Sequence, residues 1–482
     1  GLIYGIMVFG VFITFRILDF PDLTVDGSFA TGACVMAVAI LDGTNLYIGL
    51  GLALFAGLLA GVFTALLHTI LKIPNLLAGI ITMTMLYSIN TRILDGKSYV
   101  PLNNAKNIVT ESNMRINDFF MSFFGMDLPY GMASLILFAI IVFFIKLLLD
   151  IFFRTDLGIS LGALGSNEQM ILSQGMNPNY LKVFGVGMSN ALVALSGAFF
   201  AQYSNSAAIL SGQGIIIVGL AAVMIGEFLV RSNKIWIITL GVLAGSVIYK
   251  AIIYFGLKYG YDIGLGPNDL KLISGILIIL IIMASNFNGK ELAGKLKKFA
   301  VKNGGKSKGV VFGNIIAGFR EKIFPFHKGF EDTDEILKIS NVSKYFFKGT
   351  VNEKLVLNNV SLTINKGDFI TIIGSNGAGK STLFNVIAGT YDVSEGNIEY
   401  KNRDITKMPE YKRAGFIGRI FQNPLLGTSG AMALEDNMIL CRKKGFKAPK
   451  VSLNNKVRKN FAEHVKRLNM GLENRLADND VS

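Results

Sequence analysis

Charged residues are scarce in this sequence: they make up 17% of its 482 residues, whereas 51% are hydrophobic. Soluble globular domains carry about 25% charged residues. The shortage therefore excludes an ordinary soluble protein of this length and indicates a membrane component.

Cysteine and histidine are also rare, with two and three copies. Cys34 lies in an apolar run and Cys441 in the polar C-terminal part, and no metal-ligand spacing surrounds either of them. This usage excludes a disulfide-stapled fold and a zinc site of ordinary spacing.

Acidic residues are outnumbered, with 33 Asp and Glu against 47 Lys and Arg, which gives a formal net charge of +14. Excess positive charge is typical of nucleic-acid-binding proteins. The basic residues here, however, are not gathered into a patch with interleaved aromatic residues. We therefore expect no nucleic-acid partner.

Long apolar runs predict a multi-pass α-helical membrane domain over residues 1–287. The 19 residues GMASLILFAIIVFFIKLLL make about 28 Å of helix, enough to cross the hydrocarbon core of a bilayer. About eight or nine spans are expected, near residues 1–17, 28–41, 47–71, 76–94, 131–153, 181–203, 211–230, 235–257 and 270–287. The run at 28–41 is short, so it is tilted, re-entrant or extended through the preceding turn.

Basic residues cluster after the last apolar run and set the expected orientation. Between residues 288 and 328, ten Lys and Arg side chains are opposed by two glutamates. Such clusters stay on the cytoplasmic side of a membrane. We therefore expect a cytoplasmic linker at 288–334, an external loop at 95–130 and a first span that enters from outside.

The sequence pattern changes at residue 336. Short alternations of apolar and polar residues, such as ILKISNVSKYF and LVLNNVSLTI, are separated by polar turns. Alternation with a period of two predicts β-strands. Together with a helix expected at 380–389, these strands predict a soluble α/β domain over residues 335–482.

The stretch GSNGAGKST has the spacing of a phosphate-binding loop, with a predicted strand at 369–373 before it and a helix after it. Glycines permit backbone angles that turn amide N–H groups toward phosphate oxygens, and the helix N-terminus adds partial positive charge. Lys380 is expected to bind the β- and γ-phosphates of ATP, and Ser381 to hold Mg²⁺. The predicted nucleotide-binding residues of this loop are Gly374, Ser375, Asn376, Gly377, Ala378, Gly379, Lys380, Ser381 and Thr382.

The C-terminal part resembles the ATPase of ABC transporters, through LVLNNVSLTINKGDFITIIGSNGAGKSTLFNVIAGTYDVSEGNIEY and RIFQNP. The resemblance implies that Phe346 stacks on adenine. Tyr345 and Phe347 are neighbouring candidates, and local packing is the competing explanation for the ring. The resemblance also implies that Gln422 contacts Mg²⁺ and the attacking water. Lys380 and Gln422 are thus the predicted catalytic residues.

Other motifs of that ATPase family are not found in the sequence: an LSGGQ-type signature, an apolar run ending in Asp-Glu, and a switch histidine after it. His464 lies in FAEHVKRL, the pattern of an amphipathic helix with a solvated histidine. We therefore expect an ATPase domain that is incomplete at its C-terminus and turns over ATP feebly. Both ends of the chain, Gly1 and Ser482, look cut.

The N-terminal stretch GLIYGIMVFGVFITFRILDFPDLTVDGSFATGA resembles permeases of the branched-chain amino-acid and ribose importer group. Within it, LDFPDLTVDGSF is similar to a lipoprotein-dependent subgroup linked to aromatic amino-acid uptake. The resemblance implies that a permease and its ATPase, usually separate partners, are joined here through residues 288–334, either by a real fusion or by an accident of reading frame or sequence assembly.

The loop at 154–182 is the longest cytoplasmic loop expected before the linker, and it contains a short helix pattern between Gly165 and Gly175. It resembles the coupling-helix loop of that importer group, which implies docking on the ATPase beside Gln422. The expected contact residues are Asn167, Glu168 and Gln169. A solvated connector is the alternative.

Ionisable side chains inside membrane spans are costly and invite a functional explanation. Glu227 and Arg231 are four residues apart, so a local ion pair explains them. Lys250 lies deeper in its span and is the least explained. The aspartates that flank Pro21 are expected to cap helices at a turn. They are Asp19, Asp22 and Asp26.

These features predict an ATP-driven ABC importer subunit in the bacterial cell membrane, with its ATPase domain in the cytoplasm. It is expected to act as a dimer of two copies in membrane lipid. An extracytoplasmic solute-binding lipoprotein is expected to deliver a small solute, an amino acid or a similar molecule. Two alternatives stay open. One is a catalytically inactive nucleotide-binding regulatory membrane protein. The other is an ABC exporter, although the long cytoplasmic helices of exporters do not fit this pattern.

Overall fold

The computed structural model describes residues 1–102, 107–125, 128–129, 131–230, 232, 234–260, 275–276, 279, 334–442, 444–445 and 447–477. They form two compact units. The first combines Gly1–Ser166 with Asn179–Ser307, and the second combines Asn167–Pro178 with Lys308–Ser482, in both cases through their described residues. The predicted span at 270–287, apart from three residues, and the predicted linker, apart from Asp334, lie outside the described residues.

Helices make up most of the described part of the first unit, because an apolar chain in lipid must satisfy its backbone N–H and C=O groups internally. They are α1 (Leu2–Val11), continued by a π-helical turn (Phe12–Ile17), α2 (Thr24–Leu41), α3 (Leu46–Thr69), α4 (Asn75–Ile93), α5 (Ile108–Phe124), α6 (Met132–Phe153), α7 (Asp156–Ser166), α9 (Pro178–Ser204), α10 (Ile215–Leu229), preceded by a 3₁₀ turn (Ile209–Gly212), and α11 (Ile235–Gly260). The short helix α8 (Glu168–Ser173) follows α7 in the chain and belongs to the second unit.

Seven helical segments of the described chain are long and apolar enough to cross a membrane: α2, α3, α4, α6, α9, the segment that contains α10, and α11. The first helical segment, Leu2–Ile17, is apolar but shorter. The predicted multi-pass architecture is thus confirmed. The short run at 28–41 is extended through the preceding turn, because α2 begins at Thr24.

Helices α2 and α9 approach each other through glycines. A Cβ atom at Gly32 would lie 1.9 Å from the carbonyl oxygen of Ala194, and one at Gly197 would lie 2.0 Å from that of Phe29. Small residues let membrane helices pack backbone against backbone, where lipid leaves little hydrophobic attraction between helices. A side chain at either glycine would force the two helices apart.

Asp22 lies in the break between the π-helical turn and α2, and it is 2% exposed. Its Oδ1 accepts a hydrogen bond from Thr24 N at the start of α2 (2.9 Å). Its Oδ2 accepts one from Asn190 Nδ2 of α9 (2.6 Å). The predicted capping role is confirmed for Asp22. Asp19 is exposed, and the described residues include no helix that it caps.

Asp26 also caps a helix, but not the one that contains it. Its two carboxylate oxygens accept hydrogen bonds from Gly214 N (2.7 Å) and Ile216 N (2.9 Å), at the start of α10. A carboxylate satisfies amide N–H groups that no helical carbonyl reaches, and its charge complements the helix dipole. The start of α10 is therefore held by α2.

The ionisable groups of the spans contact other parts of the first unit. The predicted pair of Glu227 with Arg231 involves a residue outside the described chain. Glu227 accepts a hydrogen bond from Arg16 Nε at 2.5 Å, which joins α10 to the π-helical turn. Lys250 Nζ lies 3.6 Å from the ring centroid of Tyr4. This cation–π contact accounts for the lysine without a solute.

The predicted external loop at 95–130 contains regular structure that the sequence analysis did not foresee. Strand β1 (Tyr99–Pro101) pairs antiparallel with β2 (Ser206–Ala208). The 17-residue helix α5 follows, and it begins with a capping box at Asn107. Both features satisfy backbone groups that a loop would leave to water.

The second unit contains a four-stranded antiparallel sheet in the order β4-β3-β5-β6. Its strands are β3 (Glu335–Phe346), β4 (Lys354–Asn365), β5 (Glu395–Tyr400) and β6 (Arg403–Asp404), and its further helices are α12 (Lys380–Ala388), α13 (Glu410–Arg413), α14 (Leu434–Arg442) and α15 (Asn455–Lys466). Helix α12 packs on the sheet through Leu383 and Val386, in a core with Ile339, Val342 and Ile398. The α/β class and the helix expected at 380–389 are confirmed.

The strand predicted at 369–373 is wrong for the described structure, where this stretch has no regular secondary structure. Phe369 and Ile373 are 94% and 90% exposed. A strand needs a neighbour that takes up its backbone hydrogen bonds, and no described strand pairs with this stretch. Apolar composition alone therefore did not predict the local structure.

Asp436, in the first turn of α14, gives the second unit a pH-dependent stability. Burial raises the pKa of its carboxyl from 3.8 to about 6; nearby Glu435 also raises this pKa, and Arg458 lowers it. The folded state therefore holds the proton more tightly than the unfolded state. As pH rises from about 4 to about 6, the free energy of unfolding falls.

Replacing Asp436 with asparagine should stabilise the second unit most at neutral pH. We expect a gain of about 1–2 kcal/mol at pH 7.5, because water screens part of the roughly 3 kcal/mol that two pKa units represent. At pH 4.5 the gain should fall to about a third of that value. Calorimetric unfolding of the purified chain at both pH values measures it, with the exposed Glu463→Gln as the control. Equal gains in the free energy of unfolding at both pH values would contradict the raised pKa of Asp436.

Candidate functional site

The loop at residues 374–382 depends on glycine at two positions. Gly377 and Gly379 both have a φ of +85°, a left-handed conformation that is strained for residues with a side chain. A Cβ atom at Gly379 would also lie 2.9 Å from the carbonyl oxygen of Val356 in β4. Backbones that alternate between right- and left-handed conformations turn successive N–H groups into a concave anion site.

Lys380 begins α12 and reaches back over this loop. Its Nζ donates to the carbonyl oxygens of Gly374 (2.6 Å) and Ser375 (2.7 Å). Gly379 is the N-cap of α12 and offers no side chain to its first amides. Those amides and the partial positive charge of the helix end therefore remain available to an anion. Ser381 follows with an exposed side chain.

The other two predicted site residues lie on separate elements. Phe346 ends β3 and is half-buried, and its ring makes an edge-to-face contact with Tyr391, with centroids 5.4 Å apart. Gln422 is exposed in a bend before the 3₁₀ turn Pro424–Leu426. The nine predicted loop residues are consecutive and lie together. Phe346 lies on β3 and Gln422 lies on this bend, so these two residues belong to other elements than the loop.

Arg413 of α13 holds the far end of the helix that Lys380 begins. Its side chain is 1% exposed and donates to four carbonyl oxygens. They are those of Val386 (2.9 Å), Ile387 (2.9 Å), Thr406 (2.8 Å) and Met408 (2.7 Å). The first two belong to the last turn of α12, where carbonyl groups lack helical partners and carry partial negative charge. Arg413 therefore fixes the position of α12.

Asn167 joins the segment Asn167–Pro178 to the chain that follows Gln422. Its Oδ1 accepts a hydrogen bond from Met170 N (3.2 Å) and caps α8. Its Nδ2 donates to three carbonyl oxygens, those of Leu425 (2.8 Å), Leu426 (3.2 Å) and Thr428 (2.8 Å). One amide side chain thus both starts the short helix and binds it to the turn after Gln422.

Gln169 extends this contact toward α12. Its Nε2 donates to Glu410 Oε1 (2.7 Å), and Glu410 Oε2 accepts from Thr390 Oγ1 (2.9 Å). Arg419 donates to Thr390 Oγ1 (2.7 Å) and to Asn385 Oδ1 (2.5 Å), and Asn385 belongs to α12. A continuous chain of polar side chains therefore connects α8 with the phosphate-loop helix.

The predicted short helix in the 154–182 loop and its contacts through Asn167 and Gln169 are confirmed. The residues that receive or support these contacts, Glu410, Arg413 and Arg419, were missed. The sequence PEYKRAG looks like a charged surface turn, yet Glu410 and Arg413 are 7% and 1% exposed. The available signal was Pro409 followed by Glu410, which is typical of a helix start.

Residues 1–283, more than half of the chain, match the family described as "Branched-chain amino acid transport system / permease component". The chain belongs to this permease family. Residues 357–481 of the permease chain match a second family, described as "ABC transporter". The protein is therefore a multi-pass membrane protein with a soluble, nucleotide-binding ABC ATPase domain. The resemblances to an importer permease and to an ABC ATPase are confirmed.

Two relatives correspond to the membrane part of the permease chain. The tyrosine transport system permease protein of Clostridioides difficile (strain R20291) is 38% identical over 288 residues, which cover 60% of this chain and 90% of that protein. The uncharacterized protein RP368 of Rickettsia prowazekii (strain Madrid E) is 30% identical over 286 residues, which cover 59% of this chain and 94% of that protein.

A third relative corresponds to the ATPase part. The tyrosine transport ATP-binding protein of C. difficile (strain R20291) is 42% identical over 110 residues, which cover 23% of this chain and 44% of that protein. The permease chain thus spans nearly the whole length of the two membrane relatives and less than half the length of the ATP-binding relative. Both the membrane part and the ATPase part are similar to proteins of amino-acid transport.

Proposed function

We propose that this permease chain is the membrane and ATP-binding subunit of an importer for tyrosine or a related aromatic amino acid. Two relatives from one organism support the solute class, since both are named for tyrosine transport. We divide the chain into a permease domain at 1–287, a cytoplasmic linker at 288–334 and an ATPase domain at 335–482.

ATP is assigned to the loop at 374–382. The loop suits a triphosphate because it is exposed, has an uncapped helix start and carries the Lys380 ammonium group. In this proposal Lys380 binds the β- and γ-phosphates, and the half-buried ring of Phe346 stacks on adenine. Mg²⁺ prefers oxygen ligands, so the Ser381 hydroxyl and the Gln422 amide oxygen would hold it. Gln422 would also orient the attacking water.

The segment Asn167–Pro178 is the main support for ATP-driven transport. It continues directly into α9, one of the candidate membrane helices. Yet it folds within the nucleotide-binding unit, through Asn167 on the turn after Gln422 and through Gln169 on Glu410. A rearrangement at the bound nucleotide would therefore displace the chain that leads into α9.

Three partners complete the proposed assembly. A second copy would supply the other permease and ATPase halves, so that two ATP molecules are held between two soluble domains. An extracytoplasmic solute-binding lipoprotein would deliver the amino acid, and lipid would surround the spans. The regulatory alternative, a nucleotide-binding membrane protein without transport, keeps the nucleotide site and predicts no uptake.

Uptake of labelled tyrosine tests the proposal. Sealed membrane vesicles that contain the full-length protein and its solute-binding lipoprotein are loaded with ATP or with ADP. We expect uptake that requires ATP and an intact lipoprotein. Two results would exclude the proposed function: tyrosine uptake that is independent of ATP, or no uptake in the presence of ATP and the lipoprotein. The second result would favour the regulatory alternative.

Replacing Asn167 with aspartate should separate ATP binding from transport. Aspartate still caps α8, but it cannot donate to the three carbonyl oxygens that Asn167 Nδ2 contacts, and its charge repels them. We expect a loss of tyrosine uptake of about tenfold or more, with ATP affinity within about threefold of wild type. Vesicle uptake and equilibrium binding of a fluorescent ATP analogue measure the two effects.

Asn454 provides a matched control for this variant. It caps α15 in the same way, by accepting a hydrogen bond from Val457 N at 3.0 Å. Asn454→Asp introduces the same charge at an equivalent helix start and should leave uptake unchanged. If Asn167→Asp transports as well as Asn454→Asp does, the contact of Asn167 has no part in transport.

A further inference from the structure

Helix α5 (Ile108–Phe124) lies between two candidate membrane helices in the chain, α4 and α6, but it is not among the seven candidate spans of the described residues. Its 17 residues include three charged side chains, Glu111, Arg115 and Asp118. A helix of this length and composition does not cross the hydrocarbon core of a bilayer. Its place in the membrane protein therefore needs a separate explanation.

Two contacts place α5 across the ends of neighbouring membrane helices. At the start of α5, Ile108 N donates to Oε1 of Gln202, two residues before the end of α9 (2.9 Å). Five residues later, Asn113 Nδ2 donates to Oγ of Ser134, in the first turn of α6 (2.7 Å). Helix α5 thus runs from the end of one span to the end of another and does not lie along either of them.

The second half of α5 extends beyond α6. From Asn113 the helix continues for eleven residues to Phe124, which is about 16 Å. Helix α6 is peripheral: 17% of its apolar window is buried, the lowest share among the seven candidate spans of the described chain, against 67% for α9. Val109 is 3% exposed, whereas Phe119 and Phe123 are 58% and 73% exposed. Helix α5 therefore starts over the protein core and ends over the region that lipid occupies.

One side of α5 carries a stripe of exposed polar residues at intervals of four, three and four: Glu111, Arg115, Asp118 and Ser122. Residues with this spacing share one side of a helix. Asn113, which contacts α6, lies on the other side, so the stripe faces away from α6. Phe123 is turned by about 100° from Ser122, and its ring stacks on that of Phe119 with centroids 5.8 Å apart.

We propose that the second half of α5 is an amphipathic membrane anchor. It lies in the headgroup region of the bilayer beside α6, with Phe119 and Phe123 directed to the acyl chains and the polar stripe in water. Amphipathic helices insert their apolar side about 5–10 Å into this boundary. Lipid is the occupant because the surface is continuous with that of α6, where Leu135 and Phe143 are exposed apolar side chains of a candidate span.

A protein partner on this surface explains the observations less well. A protein that approaches from water would meet the polar stripe, because the stripe lies on the side away from α6. Arg115 Nη2 already donates to Glu111 Oε1 within that stripe (2.6 Å). The two phenylalanines lie on another side of the helix, where lipid is the neighbour.

Tryptophan fluorescence in brominated lipid tests the anchor. Trp236→Phe removes the single tryptophan of the chain, and Phe123→Trp is then made in this background. Ser122→Trp is the matched control on the polar stripe, and Leu135→Trp on α6 is the reference for lipid contact. The full-length protein is reconstituted in vesicles of phosphatidylcholine with bromine atoms near the headgroup end of its acyl chains, and in unbrominated vesicles.

We expect bromine to quench the tryptophan at position 123 nearly as strongly as the one at 135, and at least about threefold more strongly than the one at 122. Quenching at 123 as weak as that at 122 overturns the anchor. In that case a shift in emission at 123 on addition of the solute-binding lipoprotein would identify a protein interface instead. Strong quenching at both 122 and 123 overturns the proposed orientation of α5.

Phe123→Asp tests whether this side chain holds the helix in the bilayer. A tryptophan at position 119 in the Trp236→Phe background reports the result. A carboxylate in the apolar layer is costly, so quenching at position 119 should fall by at least about twofold when Phe123→Asp is added. Ser122→Asp adds the same charge to the polar stripe and should leave the quenching unchanged. Equal quenching in the two aspartate variants overturns the role of Phe123.

Discussion

Replacing Lys380 with alanine should weaken binding of MgATP by about 100-fold. The Lys380 ammonium group lies over the carbonyl oxygens of Gly374 and Ser375, at the start of α12. A hydrogen bond to a charged group contributes about 1.5–3 kcal/mol, and the larger value corresponds to about 150-fold in affinity. Titration of the purified chain with a fluorescent ATP analogue and Mg²⁺ measures the change.

Lys407→Ala is the control for the loss of one positive charge, since Lys407 is exposed on the same unit. Its affinity for ATP should stay within about twofold of wild type. Vesicles that contain Lys380→Ala should also lose ATP-driven tyrosine uptake. If Lys380→Ala binds ATP as well as Lys407→Ala does, the loop is not the nucleotide site that we propose.

Replacing Arg413 with methionine should destabilise the second unit by about 3–5 kcal/mol. Methionine fills much of the same space but removes the guanidinium group that donates to four carbonyl oxygens. A hydrogen bond to a charged group contributes about 1.5–3 kcal/mol, so the loss of several such bonds accounts for this cost. Two of those carbonyls end α12. We therefore expect weaker ATP binding as well, because the loop at the start of α12 is no longer held in place.

Urea unfolding of the purified chain, followed by the circular dichroism of the second unit, measures the stability change. Lys412→Met removes a positive charge from the preceding, exposed residue and should change the free energy of unfolding by less than about 0.5 kcal/mol. Arg413→Lys should recover part of the loss, because an ammonium group reaches fewer of the four carbonyls. If Arg413→Met lowers the free energy of unfolding no more than Lys412→Met does, Arg413 does not stabilise the second unit through these four carbonyl groups.

The parts of the fold that the sequence predicted are those decided by local rules. A run of about twenty apolar residues has few alternatives to a membrane helix, and α3, α4, α6, α9 and α11 follow. The loop at 374–382 was equally clear, because its glycine spacing serves one backbone geometry. The left-handed φ of Gly377 and Gly379 is the conformation that this spacing requires.

The strand expected at 369–373 failed for a non-local reason. Its residues are suited to a strand, but strand formation depends on a neighbour elsewhere in the chain. The partners of charged residues were unpredictable on the same grounds. Glu227 contacts Arg16, 211 residues away, and Asp26 accepts a hydrogen bond from Gly214, the N-cap residue of α10, 188 residues later. Sequence spacing carries no information about such pairs.

The sequence predicted the phosphate-binding residues of the candidate site but not the residues that hold them in position. Lys380 and its loop stand out as a motif, whereas Glu410 and Arg413 occupy a helix of four residues, too short to show an amphipathic period.

The segment Asn167–Pro178 and the surface that it binds belong to one polypeptide. Their contact therefore requires a lower affinity than a contact between separate subunits. In a transporter assembled from separate subunits, such a segment must find its partner by diffusion. Here the two belong to one chain, so their association is intramolecular and needs no encounter between separate molecules. Two amide side chains can then suffice to keep α8 seated, and the contact can stay weak enough to break and re-form in every transport cycle.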